Sequence, residues 1–109
     1  MIGRMSLQKT FQGDLEGSAL GQMLATSGEV QGSAAYVAID RVQGSLHGRA
    51  GSFSLQHRGV MDRGTAQLAI TIVPDSGSGE LTGISGTFDI RVSDGQHFYD
   101  IEYELPAAG

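Results

Sequence analysis

The sequence predicts an all-β protein, folded as a small antiparallel β-barrel of seven to eight strands. Three observations lead to this prediction. The stretch from Ser33 to Met61 alternates apolar and polar residues on both sides of a glycine-rich segment, as β-hairpins do. Glycine accounts for 17 of 109 residues and proline for only 2, which favours tight turns between strands over a disordered chain. Further alternating runs, each bounded by turn residues, occupy the rest of the chain.

The hairpin from Ser33 to Met61 is the centre of the prediction. Its apolar parity is assigned to Val37, Ile39 and Arg41 in the first arm and to Phe53, Leu55 and His57 in the second. The segment between the arms, HGRAG, supplies glycines for the reversal. An isolated hairpin is only marginally stable in water, so its apolar face needs further strands to cover it.

Two strands are predicted before the hairpin. Residues 1–12 alternate, with Met5, Leu7 and Phe11 on the apolar side and Lys9 unexpectedly among them. Residues 17–27 also fit a helical stripe, but each glycine inside a helix costs about 1 kcal/mol, so a strand is favoured.

Three strands are predicted after the hairpin, at residues 66–73, 87–93 and 96–105. Pro74 ends the first of them, because proline cannot donate to a β-ladder. Residues 75–86 read as a loop with one short strand or turn at 80–82, and Asp94-Gly95 is a strong hairpin turn. With no internal repeat or linker, residues 1–109 are predicted to form a single domain.

Composition excludes several function classes. The net charge is −5, with one lysine and six scattered arginines, which argues against binding a nucleic-acid backbone. The absence of cysteine excludes disulfides and thiolate chemistry, and three scattered histidines argue against a metal site, so no metal and no cofactor are expected. Neither a signal peptide nor an apolar run of about 18 residues is present, so we expect a cytoplasmic protein without a membrane partner.

Polar residues on the apolar parity are the candidate ligand-binding residues: Lys9, Arg41, Tyr99 and Tyr103. A buried cation must be paired or reach water. Arg41 is therefore expected either to pair with Glu80 or another loop acid, or to anchor a substrate carboxylate or enolate oxygen. The two tyrosines are expected to supply core area while their hydroxyl groups reach the rim.

His57 and Glu80 are the candidate catalytic residues. His57 is the one histidine on an apolar face and suits general acid–base catalysis near neutral pH, although a core histidine bonded to backbone would look the same. Glu80 would serve as a base if buried, or otherwise as a turn acid that accepts backbone N–H groups. His47 and His97 are expected at the surface.

The chain resembles a bacterial family of short uncharacterised proteins whose fold is classed with the allene oxide cyclase-like β-barrels. The resemblance rests on GSLHGRAGSF at 44–53, LQH at 55–57 and GSGEL at 77–81, and extends from about residue 10 to 106. It implies the barrel fold, and related barrels include cofactor-free cyclases, but a shared fold does not transfer function. Family members carry an additional N-terminal strand, so the barrel is expected to lack its first strand. The exposed edge would then favour a homo-oligomer, most simply a dimer.

Three functions are compatible with these residues. The first is a binding module for a small, largely apolar molecule. The second is a cofactor-free isomerase or cyclase, with His57 or Glu80 as acid or base and Arg41 as the oxyanion partner. The third is a structural protein whose barrel is filled by Leu55, Ile70, Phe88 and Ile101. A cavity touching Arg41, His57 and Tyr103 would favour the first two.

Overall fold

The computed structural model describes residues 2–106, without the side chains of residues 92, 93, 96 and 97. The predicted surface position of His97 therefore lies outside the described side chains. The strands are β1 (Ile2–Phe11), β2 (Leu15–Ser27), β3 (Ala34–Leu46), β4 (Arg49–Asp62), β5 (Thr65–Ile72), β6 (Ser78–Gly79), β7 (Ser85–Ser93) and β8 (Gln96–Glu104). The all-β prediction is confirmed, including the strand at 17–27. Residues 2–106 contain no helix long and apolar enough to cross a membrane.

All eight strands belong to one antiparallel sheet. The order is β1-β2-β3-β4-β5-β7-β8, and the two-residue β6 pairs with β4. The predicted strand number is confirmed, but the sheet does not close into a barrel, because no backbone pairing within the described chain joins β1 to β8. Seven strands that alternate in direction leave the two edges parallel to each other. Direct closure would therefore need a parallel ladder in a sheet whose other ladders are all antiparallel.

The central hairpin turns more tightly than predicted, at His47 and Gly48. Both residues have positive φ, 49° and 80°, the left-handed conformation of two-residue hairpin turns. This turn sets Asp40 opposite Leu55 and Val42 opposite Phe53. The inner face of β3 therefore carries the even-numbered residues.

The assignment of Arg41 to the apolar face is thus wrong. Arg41 lies on the outer face, together with Val37 and Ile39, which are both about half exposed. Side chains alternate with a period of two, so a one-residue difference in the turn moves a whole arm to the other face. Both parities of β3 contain apolar residues, and only the pairing with β4 shows which one is buried.

The hydrophobic core fills one half of the inner face. Its largest fully buried side chains are Phe53, Leu46, Leu55, Ile72, Leu81, Ile84 and Val42. Phe88 of β7 covers this half, with ring centroids of Phe53 and Phe88 6.2 Å apart. Leu55, Ile70 and Phe88 are buried in this core, and Ile101 is partly buried against it.

The other half of the inner face is not covered by any described side chain. β7 pairs with β5 only at Ile70 and Thr71, so the β7–β8 hairpin stops short of this end of the sheet. Met5, Met61 and Leu68 point to the inner side there but are between 42% and 54% exposed. A concavity of about 310 Å³, hereafter the inner groove, opens at this end of the sheet and is lined by residues that include Met23, Tyr36, Gly59, Met61 and Leu68.

Candidate functional site

Three ionisable residues meet on the inner face where the packed core gives way to the inner groove. Oδ2 of Asp40 accepts a hydrogen bond from Nζ of Lys9 at 3.0 Å and lies 2.8 Å from Nε2 of His57. Asp40 is only 1% exposed, His57 is buried, and the Lys9 side chain is 25% exposed. Strands β1, β3 and β4 each contribute one member, and we call this group the ion cluster.

Small residues on β2 let the ion cluster form. Lys9 starts on β1 and must cross β2 to reach Asp40 on β3. Its partner across the β1–β2 ladder is Ala19, and Gly21 is the partner of Asp40 across the β2–β3 ladder. A Cβ atom at Gly21 would collide with Oδ1 of Asp40, so glycine is required there.

The ion cluster holds Asp40 in its ionised form. Burial by itself raises the pKa of Asp40, but hydrogen bonds from His57 and Lys9, together with their charges, lower it below its ordinary value. Both donors use Oδ2. The buried Oδ1 has no hydrogen-bond partner within residues 2–106 and lies against the backbone of Gly21.

An ionised Asp40 also selects the tautomer of His57. A carboxylate can only accept, so Nε2 of His57 must carry the proton that lies between them. Nδ1 of the neutral ring is then an acceptor, and it bonds to no described residue. The pair has the chemical form of a carboxylate-oriented general base.

Tyr36 connects the ion cluster to the inner groove. Its ring lies over Gly59, where any Cβ atom would collide with it. The pKa of Tyr36 is raised, first by burial and second by the negative charge of Asp40. His57 lies two residues before Gly59 on the same face of β4, about 7 Å along the strand. The lining of the groove does not include Lys9, Asp40 or His57, so the ion cluster lies beside the groove and Tyr36 is the lining residue that senses its charge.

Arg41 and Glu80 lie outside this site, and they do not form an ion pair. The Arg41 guanidinium donates to Oγ of Ser52, Oγ of Ser54 and the Ser76 carbonyl, tying the outer face to the loop after β5. Glu80 is exposed and accepts the backbone N–H of Ala50 at 3.1 Å, which confirms its expected turn role.

Tyr99 and Tyr103, both on β8, lie at a different place. Tyr99 faces the seam between β1 and β8, where its ring centroid is 5.2 Å from that of Phe11. The Tyr103 hydroxyl lies 2.5 Å from Nδ1 of the exposed His47, whose Nε2 is 3.4 Å from Asp14. A hollow of about 710 Å³ opens at this seam. No described cavity is lined by Arg41, His57 and Tyr103 together.

The family profile annotated "Protein of unknown function (DUF3224)" matches residues 1–103. This chain belongs to the DUF3224 family. A crystal structure of a DUF3224 protein of unknown function from Shewanella oneidensis has 50% sequence identity and a TM-score of 0.94, with alignment over 98% of this chain and 80% of that chain. No curated protein matches. The resemblance to a family of unknown function is confirmed, while the allene oxide cyclase-like classification stays a prediction.

The sequence indicates two members of this candidate site and not the residue between them. Lys9 and His57 are visible as polar residues on apolar parities, but the predicted parity of β3 places Asp40 on the outer face with its whole strand. Counting the pairing back from the His47-Gly48 turn would have placed Asp40 beside Leu55. Among the described side chains, no three His, Asp or Glu residues are grouped so that they could hold a metal ion.

Proposed function

We propose that this DUF3224 protein binds one small, largely apolar molecule in the inner groove, with the polar end of that molecule directed at Lys9 and His57. The observation that supports the proposal is the juxtaposition of an uncovered apolar concavity with a buried ion cluster. Ligand sites typically combine a mostly apolar lining with a few placed polar groups. The groove volume of about 310 Å³ is at the small end of the usual range for such sites.

The chemistry of the ion cluster restricts the ligand. Lys9 carries three N–H donors and uses one of them on Asp40. Nδ1 of His57 accepts from a ligand while the ring is neutral and donates once it is protonated. The preferred ligand therefore has an apolar body and one group, such as a hydroxyl or a carbonyl, that can bond to these two side chains.

Calorimetric titration with decanol, a simple molecule of this type, tests the proposal. Leu68→Arg places a charged side chain in the groove at a position that is already 45% exposed, so the fold should tolerate it. Thr71→Arg is the matched control, because Thr71 is exposed on the same strand but on the opposite face. We expect wild type and T71R to bind alike and L68R to bind at least tenfold more weakly. Equal binding by all three proteins, or no binding by wild type up to the aqueous solubility of decanol, would contradict the proposal.

A second function follows from the Asp40–His57 pair. If the bound molecule is a β,γ-unsaturated ketone, Nδ1 of His57 can remove a proton from the α-carbon, between the carbonyl and the C=C bond. The C–H electron pair forms a new C=C bond while the carbonyl π pair moves to oxygen, and the Lys9 ammonium stabilises the resulting dienolate. Return of the same proton from His57 to the γ-carbon would complete a cofactor-free isomerisation to the α,β-unsaturated ketone. Glu80 and Arg41 have no part in this step, since neither reaches the site.

Proton exchange separates catalysis from binding. If His57 acts as a base, the protein should speed the incorporation of deuterium next to the carbonyl of 2-decanone in D₂O, relative to the reaction without protein. NMR measures this rate, and His57→Gln should lose the acceleration. Binding of 2-decanone without acceleration would leave the binding function alone. If neither molecule binds, the packed half of the inner face favours a structural role. A cytoplasmic location remains part of the proposal.

A further inference from the structure

The outer face of β2, β3 and β4 carries an apolar patch that no part of the described chain covers. The patch consists of Leu20, Leu24, Val37, Ile39 and Val60, whose exposed fractions lie between 46% and 64%. Leu24 is paired with Val37 across the β2–β3 ladder, and Ile39 follows Val37 on the same face, so these side chains adjoin one another. We call this set the outer patch.

The outer patch is large enough to be the centre of a stable interface. The exposed fractions correspond to roughly 400 Å² of apolar surface, in the range where a patch on a monomer is commonly functional. A standard interface buries about 800 Å² per partner, of which somewhat more than half is apolar. The outer patch together with its polar surroundings meets that requirement.

The surroundings of the outer patch are polar but contain no carboxylate. On this face, the neighbouring positions within residues 2–8, 20–26, 35–41 and 54–60 are occupied by Gln, Ser, Thr, Ala, Ile and Arg side chains. The guanidinium of Arg41 is drawn away to Ser52 and Ser76, which leaves its aliphatic stem beside the patch.

We propose that the outer patch binds the same patch of a second copy, giving a two-fold dimer in which two sheets pack face to face. The axis would run across the strands along the row Gln22–Ile39–Gln56. Rotation about this axis places each strand of one copy over the same strand of the second copy, with the strand direction reversed. Ile39 then faces Ile39 of the second copy, and Leu24 faces Leu20 of the second copy.

The same operation avoids a clash of charge. Arg58 faces Ser54 of the second copy, and Arg4 faces Gln8 of the second copy, so no arginine is placed over another arginine. Val37 faces Arg41 of the second copy, whose guanidinium is bonded to Ser52 and Ser76, so that the contact is with its aliphatic stem. A two-fold axis parallel to the strands along β3 would instead place Arg41 over Arg41 of the second copy and Leu24 over Arg58. The row-parallel axis is therefore the arrangement that the side chains favour.

Sedimentation equilibrium with matched variants tests the proposal. Wild type at 50 μM should have twice the chain mass of 11.4 kDa. Ile39→Lys, at the centre of the patch, should sediment as a monomer, whereas Thr87→Lys, an exposed residue on β7, should remain dimeric. Circular dichroism verifies that each variant is folded, and Val37→Lys serves as a second patch variant if I39K is not. A monomeric wild type, or dimers that persist in the folded patch variants, would overturn the proposal.

Cross-linking tests the axis itself. The chain contains no cysteine, so Ile39→Cys introduces a single thiol on the proposed axis. A short bismaleimide should join two I39C chains efficiently and two Thr87→Cys chains poorly. Equal cross-linking at both positions would exclude the proposed axis. That result is expected if the wild-type protein dimerises through its β1 edge instead of through the outer patch.

Discussion

Asp40→Asn is the most informative single substitution, because it keeps the shape of the side chain at the centre of the ion cluster and removes its charge. Asp40 is 1% exposed and accepts two hydrogen bonds from groups that can be cationic. A hydrogen bond to a charged group contributes about 1.5–3 kcal/mol to stability. The contribution of Lys9 is reduced by its 25% exposure, and the remaining amide oxygen of asparagine can still accept. We therefore expect D40N to lose about 2 kcal/mol of unfolding free energy at pH 7.

The loss must depend on pH in a defined direction. The pKa of Asp40 is lower in the folded protein than its ordinary value near 4. The folded state thus binds the proton less readily than the unfolded chain does. The stabilisation by Asp40 is fully present above the ordinary pKa and is lost as the pH falls through the folded pKa. The difference between wild type and D40N should therefore be greatest above about pH 5 and shrink towards pH 3 and below.

Thermal and urea unfolding at pH 7, 5 and 3 measure this difference. A loss of about 2 kcal/mol lowers the Tm of a domain of this size by roughly 10 °C. Asp89→Asn is the control, since Asp89 is exposed, and we expect little change at any of the three pH values. A D40N protein as stable as wild type at pH 7, or a loss that is the same at pH 3, would refute the assignment of Asp40 as an ionised, paired residue.

Two further predictions concern Tyr36. Gly59→Ala should lower the free energy of unfolding in urea by about 1–3 kcal/mol, because its Cβ collides with the Tyr36 ring. Gly3→Ala is the control and should be nearly neutral, because a Cβ there meets no atom within 4 Å. In ultraviolet difference titrations, with Tyr36→Phe identifying the signal, D40N should lower the pKa of Tyr36 because one cause of its rise, the Asp40 charge, is removed. The pKa should nevertheless stay above its ordinary value, because burial remains; an unchanged pKa would exclude the coupling.

Some residues of the candidate site can be predicted from the sequence and others cannot. Lys9 and His57 each stand out within their own strand, because the nearest residues of the same parity on either side are apolar or glycine. Asp40 does not, because β3 has apolar residues on both faces and so gives no local sign of which face is buried. The neutral-looking residues Gly21 and Gly59 carry no chemical signal at all. Their role appears only when Asp40 and Tyr36 are seen lying over them.

The sequence by itself determined the strands, the approximate positions of the turns and the family of this protein, because alternation, glycine positions and family motifs are local properties. Only the tertiary structure decided the face of β3, the meeting of Lys9, Asp40 and His57, and the open sheet. Register depends on the residue count of a turn. The ion cluster joins residues 31 and 17 positions apart. Closure of the sheet into a barrel depends on the relative direction of its two edge strands, β1 and β8. That direction is set by the number of strands between them and is not encoded in any single strand.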